Sequence, residues 1–257
     1  MCNTYRGQMI CVYKVLLPVF MVVLLFALAG CKKSKVDDCF SQPGKTIQEE
    51  RPASYFDEIE MYDNINVILV EGDIFSIKVE GGENLINSVN TDISDSTLVI
   101  SSSLICNWVR SYENELKVII SSPALTGIRY ESSGDLITDG SFNAETLNIN
   151  VWGGAGSMKL DVSVRKLGLA LHYGTVDFNV KGHAANTVIY ANSYGPFYCS
   201  ELISNNVYIK NYGTNDCYVY AHDILEAEIT SVGNIYYTGN PRLVKCNDIG
   251  DGELIPF

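Results

Sequence analysis

The residues that most often carry enzymatic chemistry are few and scattered in this sequence. The three histidines, His172, His183 and His222, lack the spacing that would bring them together as metal ligands. The sequence contains no glycine-rich phosphate loop, no nucleophile elbow and no zinc-protease motif. It therefore predicts no catalytic residue, no metal site and no cofactor.

Two close acidic pairs are the strongest remaining candidates for chemistry. They are Asp135 with Asp139 and Asp216 with Asp223. Such pairs could bind calcium or serve acid–base chemistry in a carbohydrate-active enzyme on a β-helix. A lyase-type enzyme on a β-helix also needs a strong base, usually Lys or Arg, beside the acidic residues. The candidate bases Lys159, Lys181 and Lys210 are scattered over different parts of the repeat described below. We therefore interpret these aspartates as solvated turn residues, and a carbohydrate-active enzyme is the alternative.

Aromatic residues make a better case for function, because several of them closely precede a glycine. Four form a possible binding surface: Trp152, Tyr173, Tyr194 and Tyr212. Four further tyrosines are predicted to point outward or to lie near the next corner: Tyr198, Tyr218, Tyr220 and Tyr236. Stacked strands would align some of these rings at steps of about 4.8 Å. Such a surface could bind a glycan or a protein. The alternative is that tyrosine simply suits half-exposed strands.

The elements that position these residues are set by a glycine repeat. The repeating glycines are Gly134, Gly156, Gly174, Gly195, Gly213, Gly233 and Gly252, which are 22, 18, 21, 18, 20 and 19 residues apart. Runs of alternating apolar and polar residues precede and follow each glycine, as in short β-strands. The sequence therefore predicts an all-β fold, a β-solenoid resembling a single-stranded β-helix with rungs of about 20 residues. An ordinary antiparallel meander is the alternative, but it would not hold this period.

Two cysteines share one position of the repeat. Cys199 and Cys217 both lie four residues after a glycine, where the alternation predicts inward side chains. The same position is occupied by Phe178 in the preceding rung. We therefore expect the two cysteines to stack on neighbouring rungs, either as a disulfide or as free thiols.

Strands without the repeating glycines are predicted before the solenoid. Residues 65–70 and 75–79 flank a Glu-Gly-Asp turn and are interpreted as a β-hairpin. Residues 96–100 and 116–120 are predicted as further strands. The solenoid domain is expected to span residues 53–257.

The N-terminus carries the pattern of an export signal. Residues 1–30 contain Arg6 and Lys14, an apolar stretch over 15–27 and no acidic residue. The end of this stretch, Leu28-Ala29-Gly30-Cys31, resembles the lipobox of bacterial lipoproteins. The resemblance implies that Cys31 becomes the lipidated N-terminal residue, which would anchor the protein to a membrane. An ordinary secretory signal or a short membrane anchor is the alternative.

Residues 31–52 are interpreted as the lipidated cysteine and a flexible tether. Lys32, in place of aspartate, resembles lipoproteins sorted to the outer membrane, where the chain would face the periplasm or the cell surface. Residues 35–38 faintly resemble a surface-export signal. Removal of Arg6 and Lys14 with the signal leaves 16 basic and 30 acidic residues, a net charge of -14. This charge argues against nucleic acid as a partner.

The order of motifs resembles the GIN-domain family of Bacteroidetes lipoproteins, which are described as autotransporter-adhesin heads. The residues that carry the resemblance are Phe56, Glu83-Asn84-Leu85-Ile86, Leu98-Val99-Ile100, Pro123, Leu125, Gly134, Gly233 and Gly239-Asn240-Pro241. The family's Ser-Gly-Ser-Gly-Asp signature is reduced to residues 132–135. The resemblance implies a lipid-anchored, non-catalytic module for surface binding or adhesion. The alternatives are the β-helix enzyme and an envelope structural protein without a small ligand.

Overall fold

The computed structural model describes residues 43–104 and 115–257, all within one compact unit that spans Ser41–Phe257. The predicted signal peptide 1–30, the lipidation site Cys31 and residues 32–42 of the predicted tether lie outside the described residues. The rest of the tether predicted over 31–52 is not flexible throughout, because residues 46–51 form a strand that pairs antiparallel with residues 77–82. In the two described stretches, no helix has the length and apolar character needed to cross a membrane.

The described chain is built from seventeen β-strands and one short 3-10 helix, Ile86–Ser88. The strands are β1 (Thr46–Arg51), β2 (Glu58–Asp63), β3 (Asn66–Val70), β4 (Ser76–Gly82), β5 (Val89–Ser94), β6 (Thr97–Ser102), β7 (Lys117–Ser121), β8 (Gly127–Ser132), β9 (Leu136–Asp139), β10 (Phe142–Gly154), β11 (Ser157–Leu171), β12 (Asp177–Ala191), β13 (Phe197–Asn211), β14 (Cys217–Ile229), β15 (Ile235–Thr238), β16 (Leu243–Asp248) and β17 (Leu254–Pro256).

Parallel stacking of successive strands confirms the predicted β-solenoid. Strands β10 to β14 pair in chain order, each parallel to the next and about 20 residues further along. Apolar residues at equivalent positions of successive rungs therefore form columns, such as Ile149, Leu169, Ile189 and Ile209. All four of these side chains are buried, because the alternation of each strand turns every second residue toward the interior.

The N-terminal strands join the same stack in a different order from the one predicted. Strand β2 pairs in parallel with β8, and β3 pairs in parallel with β9. A hairpin is present, but it is formed by the antiparallel strands β5 and β6. The predicted pairing of residues 65–70 with 75–79 is wrong: β7 pairs in parallel with β3 and antiparallel with β4. Alternation gives each of these strands an apolar face but does not choose its partner.

The glycines occupy two positions of the corner rather than one. A Cβ atom on Gly174 would lie 2.6 Å from the carbonyl oxygen of Gly154, whereas a Cβ on Gly195 would lie 2.0 Å from that of Val176. Val176 is two residues after Gly174. The repeating glycine therefore moves between two stacked positions, two residues apart, from rung to rung. At Gly174 and at Gly195 the neighbouring backbone therefore lies too close for a side chain.

This shift overturns the predicted alignment of the cysteines. Cys217 lies opposite Phe197, and Cys199 lies opposite Val219. An offset of two residues along the strand places the Cα atoms of Cys199 and Cys217 about 8 Å apart, beyond disulfide range. Both are free, buried thiols that do not stack directly on each other. Burial raises the pKa of Cys199 to about 12, so this thiol packs as a small apolar group.

A buried asparagine secures one corner of the stack. The Asn211 side chain is fully buried. Its Nδ2 donates to the carbonyl oxygens of Asn215 and Gly233, at 3.1 and 3.0 Å, and its Oδ1 accepts a hydrogen bond from the backbone N–H of Gly213 at 3.1 Å. One side chain thus satisfies backbone groups of two rungs where the strands turn.

Candidate functional site

The corner that carries the repeating glycines gathers the four aromatic residues of the predicted binding surface. We call it the glycine corner, and it spans residues 152–156, 172–176, 192–195 and 212–215. Its first position on successive rungs is taken by Trp152, His172, Asn192 and Tyr212. Each of the last three donates its backbone N–H to the preceding rung, at 2.7–2.9 Å. Tyr173 directly follows this position, and Tyr194 directly precedes the repeating glycine Gly195.

Trp152 is held on both faces of its ring. The ring stacks on His172 with centroids 3.8 Å apart and planes 8° apart, while the Arg129 guanidinium lies 5.6 Å from the Trp152 centroid. Partial desolvation lowers the pKa of His172, which favours the neutral ring in this stack. Trp152 is 41% exposed. With its faces occupied, it offers mainly its edge to a partner.

Tyr212 is fixed by polar contacts rather than left free. Its hydroxyl donates to the carboxylate of Glu228, which also forms an ion pair with Lys210 at 3.2 Å. These contacts lower the pKa of Glu228, first through the hydrogen bond from Tyr212 and then through that from Lys210. The Tyr212 ring packs edge-on against Tyr190, with centroids 5.6 Å apart. Tyr212 therefore supports the corner more than it projects from it.

Tyr173 and Tyr194 are the two freely exposed rings of the glycine corner. Each is 64% exposed, and the backbone N–H of Tyr194 donates to the carbonyl oxygen of Gly174, so the two side chains leave neighbouring rungs. Tyr173 makes one tilted contact with Trp152 at 6.4 Å. Within the described chain, Tyr194 has no ring contact. These two rings are available to a partner.

A second aromatic surface, the tyrosine ladder, lies on the outer face of the strands that follow the corner. It consists of Tyr198, Tyr218 and Tyr236, which are Cα partners on three successive rungs. Their centroids are 5.6 and 4.9 Å apart, with planes within 19° and 9° of parallel. Phe257 packs edge-on against Tyr218 and Tyr236. Sequence reasoning named these tyrosines as outward but left them out of the predicted surface.

The architecture and the corner motifs agree with the match to a known family. Residues 55–241 match the family described as "Putative auto-transporter adhesin, head GIN domain". This chain belongs to the GIN-domain family. The matched region begins just before β2 and ends just after the last residues of β15, so it contains both the glycine corner and the tyrosine ladder.

Solved structures share the GIN-domain fold. A "putative adhesin" from Bacteroides fragilis is 22% identical, with a TM-score of 0.75 over 84% of this chain and 100% of that one. A "Putative lipid binding protein" from Parabacteroides distasonis is 19% identical, with a TM-score of 0.63 over 83% and 97% of the two chains. At these identities the likeness shows the fold alone. No curated protein matches the chain.

Three of the four aspartates with predicted chemistry connect rungs of this GIN domain through their side chains. Asp135 accepts hydrogen bonds from the backbone N–H and the hydroxyl of Ser157, both at 2.9 Å. Asp216 accepts one from the backbone N–H of Asn234 at 2.9 Å. Asp223 pairs with Arg242 at 2.9 Å. Among the described residues, no group of three or more His, Cys, Asp or Glu side chains is arranged to hold a metal ion.

Proposed function

We propose that this GIN domain is a non-catalytic adhesion module that binds a partner through the glycine corner. The family description, which names an adhesin head, supports a binding role. The observation that carries the proposal is the pair of exposed rings, Tyr173 and Tyr194, on adjacent rungs of a rigid stack. Tyrosines supply large contact areas at little entropic cost, which makes them effective in binding surfaces.

The neighbourhood of these rings also favours a binding surface. Val232 and Ile249 lie on the same corner in later rungs and are 55% and 72% exposed. Together with Trp152, Tyr173 and Tyr194, they place exposed apolar side chains at this corner on five rungs. Exposed apolar side chains distributed along the stack suit an extended partner, either a protein surface or a glycan chain. The acidic net charge of -12 disfavours nucleic acid.

The contact surface can be tested with the double substitution Tyr173→Ala and Tyr194→Ala. We expect adhesion of beads carrying the full-length protein to its preferred glycan or matrix protein to weaken at least about thirtyfold, because tyrosines that a partner buries in an interface act as hot spots. Partners are to be selected first on glycan and matrix-protein arrays with the parent protein. Val188→Ala, an exposed substitution on another face, should leave adhesion unchanged. Equal adhesion by the double variant and the parent would overturn the proposal.

We further propose that Cys31 anchors the domain to the outer membrane, on the periplasmic or cell-surface side. This proposal rests on the lipobox-like residues Leu28 to Cys31 and on Lys32. Two or three acyl chains would hold the protein durably, since each buried methylene contributes about 0.8 kcal/mol. A tether ahead of β1 would let the domain reach away from the bilayer.

Substitution of the lipidated cysteine tests this anchor. We expect Cys31→Ser to leave the precursor uncleaved and without a diacylglyceryl group, as measured by metabolic labelling with palmitate and by intact mass. Cys246→Ser, which removes an exposed thiol within the domain, is the control and should be processed normally. Normal cleavage of the Cys31→Ser precursor would show that the lipoprotein assignment is wrong.

A further inference from the structure

A shallow groove of about 410 Å³ lies on the outer face of the solenoid, beside one end of the tyrosine ladder. We call it the Tyr198 groove. Its polar and aromatic lining includes Lys159, Asp161, Asn179, Lys181, Tyr198 and Glu201. Small-molecule sites commonly have volumes of about 300–1,000 Å³ and a few convergent polar groups. The groove is thus large enough for a small ligand or for a segment of a polymer.

The register of the strands arranges the lining as two parallel rows. One row contains Lys159, Asn179 and Tyr198, which occupy one outward position on three rungs. A second row runs beside the first and contains Asp161, Lys181 and Glu201. Acceptor, donor and acceptor therefore follow one another along the second row at the spacing of the rungs, about 4.8 Å, and the first row adds groups that donate and accept.

Tyr198 differs from the other members of the tyrosine ladder because it ends the row. Among the described rings, its partner is Tyr218 alone, whereas Tyr218 is packed by Tyr198, Tyr236 and Phe257. On the side away from Tyr218, the Cα partner of Tyr198 is the shorter residue Asn179, which also lines the groove. Tyr198 is 46% exposed, while the other two tyrosines are half-buried. The ladder therefore has one open aromatic face, and it borders the groove.

The charges of the groove balance. Lys181 pairs with Asp161 at 3.5 Å, and Lys159 approaches Asp135 at 4.0 Å. The lining itself contains two lysines and two acidic residues, so it presents no excess charge to attract an ion. A ligand with many hydroxyl groups and no charge could exchange hydrogen bonds with both rows without leaving a buried charge unpaired.

We propose that the Tyr198 groove binds a neutral saccharide, with one sugar ring lying on the open face of Tyr198 and its hydroxyls bonded to Asn179 and the charged rows. The apolar face of the sugar ring covers the aromatic ring, and the rim of hydroxyls meets the polar side chains. This site is separate from the glycine corner and does not depend on it. Loss of Tyr173 and Tyr194 leaves the groove intact.

The test is a titration of the full-length protein, kept in a detergent without a sugar headgroup, with cellohexaose, maltohexaose, laminarihexaose and mannohexaose. Hexagalacturonate serves as the charged comparison. We expect at least one neutral oligosaccharide to bind with a dissociation constant below about 10 mM by calorimetry and by saturation-transfer NMR. Tyr198→Ala should weaken this binding about three- to tenfold, as expected for the loss of one stacked ring.

Tyr236→Ala is the matched control, because it removes a ring of the same ladder two rungs from the groove. It should change the affinity less than about twofold. Asn179→Ala removes an exposed groove amide without touching the core, and it should also weaken binding. The proposal is overturned if no neutral oligosaccharide binds, if the charged oligosaccharide binds more tightly, or if Tyr236→Ala weakens binding as much as Tyr198→Ala.

Discussion

Replacement of Phe178 by alanine should lower the free energy of unfolding by about 3–5 kcal/mol, the range for a fully buried aromatic residue. The side chain is completely buried, and its ring stacks on Phe197 with centroids 4.2 Å apart and planes 9° apart. Met158 lies opposite Phe178 on the other neighbouring rung. The cavity left by the substitution would thus weaken contacts on both sides of one layer of the stack. Urea titration followed by circular dichroism measures the loss.

Asp177 provides the control one residue away. Its side chain is exposed, and its hydrogen bond to the Gly156 carbonyl comes from the backbone, so it survives truncation. We expect Asp177→Ala to change the free energy of unfolding by less than about 0.5 kcal/mol. Equal losses for the two substitutions would contradict the inward position of Phe178.

Regularity in the sequence was enough to predict the solenoid. Seven glycines at intervals of 18 to 22 residues, each flanked by alternating apolar residues, describe a unit that must stack on copies of itself to bury its apolar face. The alternation also predicted correctly that Phe178, Cys199 and Cys217 face the core. The solenoid fold and the inward positions depend only on the local order of residues, so they can be inferred from the sequence.

Register between rungs could not be predicted in the same way, for a physical reason. Strand side chains repeat every two residues, so a shift of two leaves every inward residue inward. The glycine moves by two residues between Gly174 and Gly195, and again between Gly195 and Gly213, without any change in the apolar pattern. Alignment on the glycines therefore brought Cys199 and Cys217 together, whereas the structure places Cys217 beside Phe197.

The same two-residue shift is the reason that the tyrosine ladder could not be predicted from the glycine spacing. Tyr198 and Tyr236 lie three residues after their glycines, but Tyr218 lies five residues after Gly213. Counted from the glycines, Tyr218 therefore falls outside the column of the other two, although the three rings stack in the structure. The four residues of the predicted surface were easier to place, because all of them precede the glycine turns. Which of their rings are free depends on contacts with Arg129, His172 and Glu228 from other positions.

The corner geometry predicts that alanine substitutions at two adjacent glycines have very different effects on the free energy of unfolding. Gly154 has a φ of +112°, and a Cβ atom there would lie 1.9 Å from the carbonyl oxygen of Ser132. We expect Gly154→Ala to lower the free energy of unfolding by about 2–5 kcal/mol, through backbone strain and the forced separation of two rungs. Since the obstacle is a backbone atom of the neighbouring rung, no side-chain rearrangement relieves it.

Gly153→Ala separates this effect from the general cost of replacing a glycine. A Cβ atom on Gly153 would meet no atom within 4 Å, and the residue does not have a positive φ. Both substitutions restrict the unfolded chain to the same extent, so their difference in urea titration reports the folded corner alone. Gly153→Ala should leave stability within about 1 kcal/mol of the parent. If it destabilised the protein as much as Gly154→Ala, close backbone stacking would not be the reason for glycine at this corner.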